Sequence, residues 1–119
     1  MDDFSLTKDA DKMLRALYKE YQKRRNEGMS KLEAKLFCSS SEIRAEILPK
    51  WSFSDVDETC GELSSAGLLN CLYGDDVVQM AVLTDDAIAY MENRYKKILL
   101  SLAGNLKDLL SFLPWWFGG

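Results

Sequence analysis

Apolar residues in the first quarter of the chain recur at three- and four-residue steps, as they do along one face of a helix. The members of this stripe are Ala10, Met13, Leu14, Leu17 and Tyr21. Thr7 suits the N-cap of the helix because its hydroxyl can accept a hydrogen bond from an N–H group of the first turn. Gly28 suits the position just beyond the C-terminal end. The pattern therefore predicts one amphipathic helix from near Thr7 to Gly28.

Two capping-box patterns follow this helix, and in each of them a serine precedes a glutamate by three residues. The first pattern begins at Ser30 and predicts a short helix over about residues 31–38. The second begins at Ser39 and predicts a third helix that ends before Pro49, because the residue before a proline is disfavoured in helical backbone.

A fourth helix is expected between Ser54 and Gly67. Ser54 is a favourable N-cap, and the acidic residues that follow it suit the positive end of a helix. The apolar positions that this helix would bury are Val56, Cys60 and Leu63.

Beyond Gly67 the pattern changes to that of extended chain. Two apolar runs, residues 68–73 and 77–83, flank Gly74-Asp75-Asp76. Gly and Asp tolerate the positive φ that a tight turn needs. The sequence therefore predicts one β-hairpin over about residues 68–83.

A long helix and an aromatic tail are expected over residues 85–119, with Thr84 as the N-cap. The apolar stripe of this helix begins with Ile88, Met91, Tyr95, Ile98 and Leu102. Such a stripe packs against the protein's own first helix or pairs two copies into a homodimer, and different parts of one helix can do both. The aromatic tail would fold back over the core, cap a dimer, insert into a partner or lie on a membrane surface; its residues are Trp115, Trp116 and Phe117.

Composition narrows the class of protein. The chain has 119 residues, of which 47% are apolar and 29% charged, as expected for one soluble globular domain. It has no histidine, which excludes catalytic and metal sites that use imidazole. Its three cysteines form no C-x-x-C pair, and we therefore expect them to be half-buried and reduced. The acidic start of the chain is unlike a signal peptide, and Lys107 and Asp108 interrupt the apolar C-terminal stretch. We therefore expect a cytoplasmic protein without a membrane span.

The order of helices, one hairpin and a long helix resembles winged helix-turn-helix proteins of the MarR- and PadR-like kind. The resemblance covers about residues 40–95. It rests on Leu63-Ser64-Ser65-Ala66-Gly67-Leu68-Leu69, which looks like the end of a recognition helix and the first wing strand, and on Val82-Leu83-Thr84, which is similar to the second wing strand. The chain also resembles small winged-helix proteins of gut Firmicutes, which implies a fold and no activity. The fold class expected is mainly α with one β-hairpin, a winged helix-turn-helix with a long C-terminal helix.

The family resemblance implies a dimeric transcription regulator that reads DNA with its recognition helix and wing, but the charge pattern opposes this mode. Between Trp51 and Asn93 the chain has nine acidic residues and no lysine or arginine, within a total net charge of −4. DNA binding needs cations against the phosphates. The candidates outside that segment are Lys31, Lys35, Arg44 and Lys50, together with the run from Lys23 to Arg25.

Two non-enzymatic functions follow from these observations. The first is a winged-helix regulator that acts as a dimer. The second is an acidic protein-interaction or inhibitor module on the same scaffold, whose acids bind a basic partner or occupy a nucleic-acid groove of an enzyme. The acids expected on that face are Asp55, Glu58, Glu62, Asp75 and Asp76. No catalytic or metal-binding motif is present in the sequence, so we expect neither enzymatic activity nor a cofactor.

Overall fold

Five α-helices and three β-strands make up residues 6–102, the part of the chain that the computed structural model describes. In chain order they are α1 (Lys8–Asn26), α2 (Lys31–Ala34), β1 (Leu36–Phe37), α3 (Ser40–Glu46), α4 (Phe53–Ser65), β2 (Leu69–Gly74), β3 (Val77–Leu83) and α5 (Asp85–Leu102). The strands form one antiparallel sheet in the order β1-β3-β2. The predicted mainly α-helical fold with a hairpin and a C-terminal helix is therefore confirmed at this level.

The ends of α1 and α3 lie where the capping residues predicted them. The Thr7 hydroxyl accepts a hydrogen bond from the Ala10 N–H at 3.1 Å, and Gly28, beyond the end of α1, has a φ of 95°. Ser39 and Glu42 form both halves of a capping box at the start of α3. The whole apolar stripe predicted for α1 is buried. Local capping chemistry and apolar periodicity thus fix these two helices.

Two predictions about the shorter elements were wrong. The second helix ends at Ala34 and not near residue 38, because the next residues form β1, which pairs with Val82 and Ala81 of β3. The sheet consequently has three strands where the sequence indicated a hairpin alone. The fourth helix begins one half-turn earlier than predicted, because Ser52, and not Ser54, is the residue whose hydroxyl accepts the Asp55 N–H.

The hairpin closes through a two-residue turn at Asp75 and Asp76, with φ values of 53° and 65°. Both values lie in the left-handed region that such a turn requires. A β-bulge follows, because Leu72 pairs with Met80 whereas the next residue of β2 already pairs with Val78. The extra residue in β3 shifts the alternation of faces, so that Val78 is buried against the helices.

The first half of α5 packs on α1, one of the two alternatives that its apolar stripe left open. Ile88 and Met91 are buried, and the ring of the half-buried Tyr95 lies 5.7 Å from that of Tyr18 on α1. Ile98, one turn further on, is 43% exposed. The side chain of Leu102 and the tail residues lie outside the described residues; those tail residues are Trp115, Trp116 and Phe117.

An ion pair also joins α1 to α5. The Arg94 guanidinium donates hydrogen bonds to the carboxylate of Asp11, which pairs in addition with Arg15. The Arg94 hydrogen bond holds the pKa of the Asp11 carboxyl below its usual range, with burial acting in the opposite direction. In the described part of the chain, no helix has the length and apolar character that crossing a membrane would need.

Candidate interaction surfaces

The predicted acids of α4 lie on the side of the helix that faces away from the core. The buried side of the helix is formed by Val56, Thr59, Cys60 and Leu63. Asp55 and Glu58 are exposed, and Glu62 is half-buried, where its carboxylate accepts a hydrogen bond from the Thr7 hydroxyl at 3.2 Å. Their spacing of three and four residues places all three acids along one line of the helix.

An exposed tyrosine of the hairpin lies against α4 at Gly61, on the flank of the helix that carries Asp57. A Cβ atom built at Gly61 would stand 3.5 Å from the Tyr73 hydroxyl, so the ring reaches the helix where Gly61 leaves room. The Tyr73 side chain is 55% exposed, and desolvation is the main cause that raises the pKa of its hydroxyl. The exposed turn acids Asp75 and Asp76 follow directly along the hairpin.

We call this set the acidic surface and define it as Tyr73 with the five predicted acids, which are Asp55, Glu58, Glu62, Asp75 and Asp76. Within the described residues, the segment from Ser52 to Asn93 supplies no lysine or arginine to it. Sequence reasoning missed Tyr73. Its only signal was an aromatic residue next to a turn, which is equally common in buried strands.

Asp57 belongs to α4 but not to the acidic surface. Its carboxylate accepts hydrogen bonds from the Ser40 hydroxyl at 2.8 Å and from the Val78 N–H at 2.9 Å. The sequence assigned Asp57 to the favourable acids of a helix start. In the structure it instead joins α3, α4 and β3, and its charge is turned toward the protein.

The four cations predicted for DNA do not form one free basic face. The ammonium groups of Lys31 and Lys35 lie 3.7 and 2.9 Å from a carboxylate oxygen of Asp85. The hydrogen bond from Lys35 is the main cause that lowers the pKa of the Asp85 carboxyl. Arg44 donates to the main-chain oxygen of Trp51 at 2.6 Å, and Lys50 is exposed in the following loop.

The cysteines differ in their surroundings. Cys38 is exposed, contrary to the half-buried environment expected of all three, whereas Cys71 is half-buried and Cys60 is fully buried. Burial raises the pKa of the Cys60 thiol to about 12, so this thiol stays protonated and unreactive. Among residues 6–102 no group of three or more acidic or cysteine side chains is placed to hold a metal ion.

Comparison of the chain with protein-family models, curated proteins and solved structures finds no match. The class of protein is therefore defined by its geometry alone, as a small, mainly α-helical fold with a three-stranded antiparallel sheet. Function must be argued from the surfaces of this fold, because a fold by itself does not determine what a protein binds.

Proposed function

We propose that the protein is a non-enzymatic regulatory module on a winged-helix scaffold, and that its acidic surface binds a basic protein partner in the cytoplasm. The winged-helix assignment is supported by the order α2, β1, α3, α4, β2 and β3, in which α4 takes the place of the recognition helix and the hairpin that of the wing. The cytoplasmic location is supported by three free cysteines, since thiols persist in a reducing compartment.

The observation that carries the proposal is the charge of α4 and the hairpin turn. Carboxylates occupy the positions where a DNA-binding relative of this fold would need lysine or arginine, and phosphates would be repelled from them. Tyr73 adds an exposed aromatic side chain on the hairpin, two residues before the turn acid Asp75, and aromatic residues are the commonest anchors of protein interfaces. Acids together with an aromatic anchor favour a basic protein over DNA.

Fluorescence anisotropy with a labelled Lys- and Arg-rich peptide at low salt tests this function. We expect the double variant Glu58→Gln/Asp76→Asn to bind the peptide about tenfold more weakly, which corresponds to about 0.7 kcal/mol for each charge removed. Asparagine is chosen at position 76 because it tolerates the positive φ of the turn. Tyr73→Ala should weaken binding further, through loss of the anchor.

The matched control is Asp9→Asn/Glu27→Gln, which removes two exposed charges from the α1 region and should leave peptide binding unchanged. Equal losses in both double variants would mean that the peptide senses net charge alone, and the proposal would be wrong. The same conclusion follows if the natural sequence does not bind the peptide, or if Tyr73→Ala abolishes binding to duplex DNA.

Pairing of two copies through the distal half of α5 is part of the proposed function. Ile98 and Leu100 are 43% and 54% exposed, although Ile98 continues a stripe that is buried further up the helix. We expect Ile98→Glu to convert a dimer into a monomer, as measured by light scattering of the eluted protein. Lys97→Glu, the adjacent exposed control, should leave the mass of a dimer unchanged. If the protein with the natural sequence elutes with the mass of a monomer, the proposed pairing through α5 is wrong.

A further inference from the structure

A second charged surface, of opposite sign, lies on the solvent side of α1. Its five cations recur at steps of four, three, four and four residues, and all five are exposed; they are Lys8, Lys12, Arg15, Lys19 and Lys23. At about 1.5 Å per residue the row is about 22 Å long. We call this row the basic stripe. Sequence reasoning had considered only its last member, as part of the run from Lys23 to Arg25.

Within the described residues, most cations of the basic stripe have no ion-pair partner. Arg15 has an ion pair with Asp11 at 3.2 Å, but in that part of the chain no carboxylate forms a salt bridge with any of the four lysines. Two acids on α1 are turned to its flanks, since Asp11 contacts Arg94 and Glu20 contacts Arg24. The stripe differs in this respect from Lys31 and Lys35, whose ammonium groups share the carboxylate of Asp85.

A groove runs beside the C-terminal half of the stripe, between α1 and the end of α3. Its volume is about 490 Å³, and it is lined by the stems of Lys19 and Lys23 together with Ala16, Glu20, Glu46 and Ile47. The exposed Glu46 carboxylate would repel an anion bound at this end of the stripe. At the other end, Glu62 of the acidic surface contacts Thr7, next to Lys8. Lys12 and Arg15 therefore lie in the middle of the stripe, between these two acids.

We propose that the basic stripe binds the phosphate backbone of a nucleic acid duplex without reading its sequence. A straight row of cations matches a linear polyanion, and each lysine can neutralise one phosphate. A protein partner fits this row less well, because lysine is depleted in protein interfaces and the row has no aromatic anchor among its members. The inference goes beyond the proposed function, since it concerns a different surface and a partner of opposite charge.

The two surfaces together would make the molecule an adaptor. Its basic stripe would hold a nucleic acid, while the acidic surface on α4 and the hairpin stays directed toward a basic protein. Through this binding mode a winged-helix scaffold would associate with a duplex although its α4 is acidic. It also predicts that the contacts are with phosphates alone, so the affinity should depend strongly on salt and little on base sequence.

Electrophoretic and anisotropy titrations with a labelled random 20-base-pair duplex test the inference. We expect Lys12→Gln/Lys19→Gln to weaken binding about tenfold at low salt and to reduce the slope of log K against log salt by about 1.8, which is about 0.9 for each phosphate that the variant no longer neutralises. The matched control is Lys31→Gln/Lys50→Gln, which removes the same charge from two of the candidate DNA-binding residues of the sequence. It should change neither the affinity nor the slope.

Glu46→Gln removes a negative charge beside the basic stripe, so we expect this variant to bind the duplex about twofold more tightly. Circular dichroism and thermal unfolding verify that each exposed substitution leaves the fold intact. Failure of the natural sequence to bind the duplex at low salt would overturn the inference. So would equal losses in both lysine variants, or tighter binding of a polyglutamate peptide than of the duplex through the same stripe. Because these variants leave the acidic surface unchanged, their failure is distinct from failure of the proposed function.

Discussion

Asp57→Ala should lower the free energy of unfolding by about 3 kcal/mol, the largest effect expected from any single acidic residue of α4. The strand β1 pairs only with Val82 and Ala81, so the Val78 N–H lies beyond its end and donates to the Asp57 carboxylate. The hydroxyl of the buried Ser40 donates to the same carboxyl oxygen. Truncation leaves the buried Val78 N–H without its acceptor, and it leaves the Ser40 hydroxyl only the Val78 main-chain oxygen, 3.4 Å away. A buried group that loses its partner costs about 1–3 kcal/mol.

Urea unfolding followed by circular dichroism measures this loss, with Glu58→Ala as the control. Glu58 is the next residue of the helix and is exposed, so we expect its truncation to change stability by less than about 0.5 kcal/mol. Asp57→Asn should fall between the two, because the amide oxygen can still accept both hydrogen bonds while the negative charge that strengthens them is lost. An Asp57→Ala variant as stable as Glu58→Ala would show that the connection between α3, α4 and β3 contributes nothing.

The helices were predictable because their signals are local. Thr7 and Ser39 cap helices through N–H groups three residues away, and the apolar stripe of α1 repeats within one element. The strand β1 gave no such signal, since two residues are too short to show alternation. Leu36 and Phe37 are extended because they pair with β3, more than 40 residues later in the chain, and a single-sequence pattern does not contain that contact.

The exposure of surface residues was predictable from the local pattern, whereas their tertiary partners were not. Asp55 and Glu58 are exposed, as their positions opposite the apolar face of α4 indicated. The partner of Asp57 on β3 is 21 residues away, and the partner of Lys35 on α5 is 50 residues away. Which charges are free and which are paired is a tertiary property. For this reason the sequence could indicate that Asp55 and Glu58 are exposed, but not that Lys31 and Lys35 pair with Asp85.

The run Lys23-Arg24-Arg25 shows this limit within three consecutive residues. The sequence indicated one positive group at the C-terminal end of α1, where cations interact favourably with the helix dipole. In the structure Lys23 is exposed on the basic stripe, whereas Arg24 is directed toward α2 and β1. Arg25 donates to the main-chain oxygen of Met29 in the loop after the helix. Helical geometry separates neighbouring side chains by about 100°, so adjacent cations have different partners.

Arg24→Ala should therefore destabilise the protein by about 2–3 kcal/mol, measured by the same urea unfolding. The Arg24 guanidinium donates to the main-chain oxygens of Ala34 and Leu36 at 3.3 and 2.7 Å, and it lies 4.4 Å from the ring centre of Phe37. Loss of the group leaves two carbonyls without this donor and removes the cation–π contact, at a cost of about 0.7–1 kcal/mol for each of these three contributions.

The control for this prediction is Arg25→Ala, which removes the same charge from the adjacent position and one exposed hydrogen bond, and should cost less than about 1 kcal/mol.

Arg24→Lys separates the effect of charge from that of side-chain geometry. Lysine keeps the positive charge but lacks the planar fork that serves two carbonyls while stacking on a ring, so it should recover less than half of the loss. Equal destabilisation by Arg24→Ala and Arg25→Ala would mean that charge at the end of α1, and not the connection to β1, determines stability. The two variants should also differ in which part of the fold opens, because Arg24 joins α1 to β1 and Arg25 does not. Hydrogen exchange at the β1–β3 pairing should therefore accelerate in the Arg24 variant alone.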